Sequence, residues 1–130
     1  MKTILPDTNV LIDFFAGDRA FEDALSSADR ILVTPAIAAE YLAGLRDARR
    51  DRARRNAFES FLAAPVVEFV PHDRETADRY ASIHQYLRQA GTPIPSNDVW
   101  IAASALQHGT ALLTRDRHFS AIPLLPVVPA

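Results

Sequence analysis

The chain has 130 residues, of which 48% are hydrophobic and 23% charged, with no cysteine and a formal net charge of −2. This length suits a single domain with its own hydrophobic core, so we expect residues 1–130 to form one domain. Without cysteine there are no disulfides, thiolate zinc sites or cysteine nucleophiles, and the apolar stretches are too short to span a bilayer. We therefore expect a cytoplasmic protein with no membrane partner.

Short apolar runs alternate with helical patterns along the chain. In chain order they predict a strand at 3–5, helices at 9–16 and 20–28, a strand at 31–33, a helix at 35–48, a polar helix carrying Phe58, Phe61 and Leu62, a strand at 66–70, helices at 74–90 and 98–108, a strand at 111–114 and an edge strand at 126–129. Strands that are apolar throughout and alternate with helices are typical of a parallel sheet covered on both faces. The predicted fold class is therefore α/β.

Four carboxylates occupy positions that favour a shared site. Asp7 directly follows the first predicted strand, and Asp116 comes two residues after the strand at 111–114. Both would project from the carboxyl edge of a parallel sheet, where ligands bind in such folds. Glu40 lies on a helix face that otherwise has a core pattern, and Asp98 begins the inward-facing stripe of its helix.

Each acid taken alone also has a structural explanation. Asp7 suits a turn, Asp98 suits the start of a helix, and Asp116 has an arginine on either side. Together they are harder to explain, because two carboxylates ~4 Å apart repel by about 4 kcal/mol at an effective dielectric near 20. Such a cluster needs protons or a cation. Oxygen ligands favour Mg²⁺ or Mn²⁺, and such ions promote phosphodiester hydrolysis by acidifying a bound water.

Positive charge is concentrated in one stretch of this mildly acidic chain. Lys2 is the only lysine against thirteen arginines, and six of those arginines lie within residues 46–55. The stretch suits phosphate binding. It equally suits a solvated helix face with Asp51 and Arg55 paired four residues apart. Arg115 and Arg117 flank Asp116, where they would hold a phosphate or neutralise the acids.

Four segments of the chain, in order, resemble the motifs of PIN-domain nucleases. They are LPDTNVLID at 5–13, TPAIAAEYLAG at 34–44, NDVWIAASALQHG at 97–109 and LTRDRHF at 113–119. The resemblance extends from residue 3 to about residue 128. The length and the third motif are most similar to the VapC-type toxins of toxin–antitoxin pairs.

The resemblance implies a three-layer α/β/α fold with a mainly parallel sheet. It also implies a Mg²⁺-dependent endoribonuclease, with Mn²⁺ as a possible substitute, that cuts a structured RNA of the tRNA or rRNA class. The cut would leave 5′-phosphate and 3′-hydroxyl ends. A homodimer and a cognate antitoxin that masks the site are further implications.

The same resemblance assigns roles to particular residues. The catalytic and metal-binding acids would be Asp7, Glu40, Asp98 and Asp116, with Asp7 and Asp98 as the direct ligands. Thr8 and Thr114 match positions whose hydroxyls support the acids. The candidates for RNA contact are Arg46, Arg49, Arg50, Arg115 and Arg117.

Other functions remain open from the sequence. One is a PIN-fold RNA-processing nuclease that has no antitoxin. Another is an acid-cluster phosphotransfer or receiver-like domain. Two features disfavour it: Asn9 stands where an aspartyl phosphatase has its second acid, and a receiver needs a lysine after a later strand, whereas the only lysine here is Lys2. A third is a binding role in sequestration or autoregulation with an antitoxin, which is compatible with nuclease activity. The four histidines have no metal-binding spacing, and His118 is a candidate for substrate contact.

Overall fold

A five-stranded parallel sheet forms the centre of the fold. The computed structural model describes residues 1–129 of the chain. The strands are β1 (Thr3–Pro6), β2 (Arg30–Val33), β3 (Val67–Phe69), β4 (Ala111–Thr114) and β5 (Val127–Pro129). Their spatial order is β3-β2-β1-β4-β5, and every neighbouring pair is parallel.

Within residues 1–129, six α-helices connect and cover these strands. They are α1 (Thr8–Phe15), α2 (Glu22–Ser26), α3 (Pro35–Ala43), α4 (Arg52–Ala63), α5 (Arg74–Ala90) and α6 (Ser96–Gln107). A 3₁₀ helix at Arg117–Ala121 follows β4. Among residues 1–129, no helix has both the length and the apolar character that crossing a membrane requires.

Helices cover both faces of the sheet. Successive strand residues point to opposite sides, so each face presents apolar side chains that the helices bury. One face buries the side chains of Leu5, Leu32 and Leu112 in a cluster with residues of α3, α5 and α6. The other face buries those of Ile4, Ile31 and Leu113 with residues of α1 and α2. Each fully buried leucine or isoleucine contributes about 1.5–3 kcal/mol to stability. The predicted three-layer α/β/α fold is confirmed.

The strand order reverses between β1 and β4. From β1 the chain proceeds outward through β2 to β3, and it then returns to the other side of β1 to form β4 and β5. In open parallel sheets the crevice at such a reversal, at the carboxyl ends of the strands, is where ligands bind. Asp7 and Asp116 follow the two strands that border this crevice.

Two helix boundaries differ from the predicted ones. The helix predicted at 35–48 ends at Ala43, because the carboxylate of Asp47 accepts hydrogen bonds from the backbone N–H groups of Arg49 and Arg50 (2.9 and 2.8 Å) and forms a turn instead. The helix predicted to begin at residue 98 begins at Ser96, because the Pro95 carbonyl accepts hydrogen bonds from the backbone N–H groups of Asp98 and Val99.

The remaining predicted boundaries agree with the structure to within two residues, and those of α5 and β4 agree at both ends. Helix α1 is capped by Asp7, whose carboxylate accepts a hydrogen bond from the Thr8 N–H. At the start of α5, Asp73 and Thr76 form a reciprocal capping box.

Candidate metal centre

Asp7 is a buried carboxylate held in place by two hydrogen bonds. Its Oδ1 accepts from the Thr8 N–H at 2.7 Å, and its Oδ2 accepts from the Thr114 hydroxyl at 2.9 Å. The residue is only 3% exposed. Burial raises the pKa of Asp7 from 3.8 to about 6, even though both hydrogen bonds favour the charged form.

Asp98 and Asp116 approach the same crevice from α6 and from the end of β4. Asp98 lies in the first turn of α6, and its side chain is 14% exposed. Asp116 is the N-cap of the 3₁₀ helix and is 26% exposed, and its backbone N–H donates to the Thr114 hydroxyl at 2.9 Å. Thr114 therefore contacts both Asp7 and Asp116.

The four predicted acids interact electrostatically. The negative charges of Asp98 and Asp116 both raise the pKa of Asp7, in addition to its burial. Burial also raises the pKa of Asp98, and the charges of Asp116 and Glu40 raise it further. Asp7, Asp98 and Asp116 therefore act on one another across the crevice, and the charge of Glu40 acts on Asp98.

Glu40 occupies a different environment from the one predicted. The sequence pattern places it on the core face of its helix, but the side chain is exposed. Its neighbours Ile37 and Tyr41 are buried and carry the packing of α3. Glu40 thus lies on the solvent-exposed side of α3, and its charge contributes to the raised pKa of Asp98.

His118 lies beside the acids; the sequence named it only as a candidate for substrate contact and did not predict its contacts with Asp98 and Asp116. Its Nδ1 lies 3.4 Å from Asp98 Oδ2 and 3.2 Å from Asp116 Oδ1. One potential ligand atom from each of these three residues lies within 4.8 Å of the others. The sequence feature that predicts this contact is the spacing of the two residues. The backbone N–H of a residue two positions after an N-cap donates to the side chain of the cap, as the His118 N–H does to Asp116 at 2.9 Å.

The arginines near the acids have different partners. Arg115 forms ion pairs with Asp13 and Asp18, both at 3.4 Å, and its guanidinium lies 4.4 Å from the centre of the Phe21 ring. It therefore binds the segment around the end of α1. Arg117 is exposed on the 3₁₀ helix.

The arginines of the basic stretch lie between α3 and α4 and in the start of α4. Arg46 and Arg49 are exposed. Arg50 pairs with Asp51 at 3.1 Å, so Asp51 bonds its neighbour rather than the predicted partner, Arg55. A cleft of about 430 Å³ opens beside this stretch, lined by Arg46, Arg52 and Arg55 among others.

The donors in the crevice suit a divalent cation. Among residues 1–129, no lysine or arginine forms an ion pair with Asp7, Asp98 or Asp116, so their charge is not compensated by a basic side chain other than His118. Beside Asp7, the hydroxyl of Thr8 is buried and has no hydrogen-bond partner in this part of the chain. Carboxylate and hydroxyl oxygens are the ligands that hard divalent ions prefer.

The family of the chain follows from comparison with known proteins. Residues 4–125 match the PIN domain family, and this range includes all four acids. The chain belongs to the PIN domain family. The family predicted from the four sequence motifs is thereby confirmed.

Within the PIN domain family, the chain is similar to proteins of VapBC toxin–antitoxin systems in both sequence and structure. Ribonuclease VapC4 of Mycobacterium tuberculosis is 32% identical over 85 residues, which are 65% of this chain and 65% of VapC4. Ribonuclease VapC5 of the same species is 29% identical over 116 residues, covering 89% of this chain and 84% of VapC5. The crystal structure of VapBC-5 from M. tuberculosis, a member of the VapBC family of toxin–antitoxin systems, superimposes with a TM-score of 0.79 at 25% identity and covers 100% of both chains.

Proposed function

We propose that this PIN-domain protein is a metal-dependent endoribonuclease and the toxin of a type II toxin–antitoxin pair. The observation that carries the proposal is the convergence of Asp7, Asp98 and Asp116 at the strand-order reversal, where Thr114 hydrogen-bonds both Asp7 and Asp116 and ligand atoms of Asp98 and Asp116 lie within 4.8 Å of each other. The two sequence relatives are both named ribonucleases, which supports this reaction over a phosphotransfer or receiver role.

The four acids would hold the metal, with Asp7 and Asp98 as the inner ligands. A divalent ion bound there supplies Lewis acidity to the phosphate and lowers the pKa of water. Asp7 is positioned for this role by Thr114, whose hydrogen bond favours the carboxylate form. Thr8 contributes its backbone N–H to Asp7 and places a buried hydroxyl next to it.

The substrate in this proposal is a structured RNA of the tRNA or rRNA class, and the ion is Mg²⁺ or Mn²⁺. The exposed guanidinium groups of Arg46, Arg49 and Arg117 would contact its phosphates. Arg50 and Arg115 are held in ion pairs with carboxylates, so we assign them a smaller share of RNA contact.

The proposed partners are a cognate antitoxin and a second copy of the chain. The support for an antitoxin is the likeness to VapBC-5, whose structure is of a toxin–antitoxin system. An antitoxin that covers the acid cluster would block access of RNA to it. The test is to co-express the protein encoded by the adjacent gene. Inhibition of RNA cleavage by that protein would distinguish this proposal from a nuclease without an antitoxin.

The test is cleavage of RNA by purified, antitoxin-free protein. In Mg²⁺ or Mn²⁺ we expect defined fragments with 5′-phosphate and 3′-hydroxyl ends, and we expect none in EDTA. Fragments with 2′,3′-cyclic phosphate ends, or cleavage that continues in EDTA, would contradict the proposal, because such ends form without a metal-assisted attack by water.

A further inference from the structure

The ring nitrogen Nδ1 of His118 lies close to two carboxylates at once, those of Asp98 and Asp116. N–H···O bonds are centred on about 2.9–3.0 Å, whereas Nδ1 lies 3.2 Å from Asp116 and 3.4 Å from Asp98. A single ring nitrogen carries at most one hydrogen and serves one acceptor well. The ring therefore lies between two carboxylates, with one long hydrogen bond of 3.4 Å to Asp98 and a 3.2 Å contact with Asp116 that is not a hydrogen bond.

The position of the ring is set by its backbone. The His118 N–H donates to Asp116 Oδ1 at 2.9 Å, and the next residue, Phe119, is fully buried. These contacts anchor the 3₁₀ helix on both sides of the imidazole. The ring is 52% exposed, so one side remains open to solvent.

The same distances match the separation of ligands around one metal ion. Ligand atoms about 2.1 Å from an octahedral ion, at right angles to each other, are roughly 3 Å apart. The two Nδ1–oxygen distances of 3.2 and 3.4 Å are close to this value. Imidazole is moreover the commonest nitrogen ligand for metals in proteins.

We propose that His118 Nδ1 is a ligand of the divalent ion, beside Asp98 and Asp116, and that it shifts the preference of the site from Mg²⁺ toward Mn²⁺. This inference rests on the proposed function, specifies its metal, and adds Asp116 and His118 to the inner ligands Asp7 and Asp98. Mg²⁺ keeps oxygen ligands and water, whereas first-row transition ions accept imidazole nitrogen. An all-oxygen cluster lacks this source of discrimination.

The test is electron paramagnetic resonance of Mn²⁺ bound to the full chain. We expect electron-spin-echo modulation from a directly bound ¹⁴N nucleus in the wild-type protein and its loss in His118→Gln. The matched control is His108→Gln, which removes an exposed histidine at the end of α6 and should retain the modulation. Circular dichroism confirms that both variants are folded.

Affinities measured on the same samples test the preference. We expect His118→Gln to weaken Mn²⁺ binding about tenfold or more, and Mg²⁺ binding, measured by competition, by less than about threefold. Equal weakening for both ions would overturn the proposed preference.

The outcomes separate this inference from the function on which it rests. Tight Mn²⁺ binding without ¹⁴N modulation in the wild type, or modulation that persists in His118→Gln, would overturn the role of His118 and leave the acid site intact. If Mn²⁺ does not bind to the wild type at all, the proposed metal site itself fails.

Discussion

The hydroxyl of Thr114 donates a 2.9 Å hydrogen bond to Asp7, although the two residues are 107 positions apart in the sequence. The same oxygen accepts a hydrogen bond from the backbone N–H of Asp116, also at 2.9 Å. One buried side chain at the end of β4 therefore links the acid after β1 to the acid after β4. This link fixes the geometry of the crevice where the strand order reverses.

Replacing Thr114 should affect both stability and ionisation. Thr114→Val keeps the shape of the side chain but removes the donor to a buried carboxylate, and we expect a loss of about 1–3 kcal/mol in the free energy of unfolding at neutral pH. The pKa of Asp7 should rise further, because the lost hydrogen bond favours the charged form. Urea unfolding and carboxyl ¹³C NMR measure the two effects.

Thr114→Ser is the matched control, since it restores the hydroxyl. It should recover the Asp7 titration of the wild type even if its smaller side chain packs less well. A valine variant with the stability and the Asp7 titration of the wild type would show that the hydrogen bond has no energetic role.

The raised pKa of Asp7 predicts an unusual pH dependence of stability. Its pKa is about 6 in the folded protein against 3.8 for an unperturbed aspartate, so the folded state binds the proton more tightly than the unfolded state. Ionised Asp7 therefore opposes folding above about pH 6, and this opposition fades as the pH falls through 6 toward 4. In EDTA, Asp7→Asn should increase the free energy of unfolding by about 1–3 kcal/mol near pH 8.

The gain from Asp7→Asn should shrink steadily on acidification and nearly vanish around pH 4. Urea unfolding of both proteins at several pH values measures it. A difference between the two proteins that is the same at every pH would mean that Asp7 does not titrate in this range.

Arg115 and Arg117 should have different roles although they flank the same acid. Arg115 is bound to Asp13, Asp18 and the Phe21 ring. Because its ion pairs are exposed, Arg115→Gln should cost only about 1 kcal/mol of stability. Arg117→Gln should leave stability unchanged within about 0.5 kcal/mol.

RNA binding should show the opposite order. In an Asp98→Asn background, which prevents cleavage, Arg117→Gln should weaken binding and reduce the salt dependence by about one counterion. Filter binding at several salt concentrations measures this. The assignment would be wrong if Arg115→Gln weakened RNA binding more than Arg117→Gln without loss of stability.

Most of the fold follows from local patterns in the sequence. The apolar strands around Ile4, Ile31 and Leu113 are short, buried and separated by helices, and this pattern requires a parallel sheet covered on both faces. Helix ends were less accurate because they depend on hydrogen bonds outside the helix. Helix α3 was predicted to end at residue 48 but ends five residues earlier, at Ala43, and the Asp47 side chain forms a turn after it.

The candidate site was less fully predictable. Strand ends and motif spacing placed Asp7, Asp98 and Asp116 at one edge of the sheet. They did not reveal that the Glu40 side chain is exposed. In a short, mostly apolar helix the pattern does not distinguish the buried face from the exposed one, and a shift of one residue exchanges them. The sequence named His118 for substrate contact but not as a neighbour of Asp98 and Asp116, because that position depends on a single 3₁₀ turn.

RNA cleavage by Asp98→Asn tests the central claim most directly. The matched control is Asp78→Asn, an exposed aspartate on α5 that is purified in the same way. With Mn²⁺ present, we predict that Asp78→Asn cleaves like the wild type and that Asp98→Asn is slower by about 100-fold or more, since removing a metal ligand should exceed the effect of changing its neighbours. Equal cleavage by the two variants would contradict a metal-dependent nuclease site at the acid cluster.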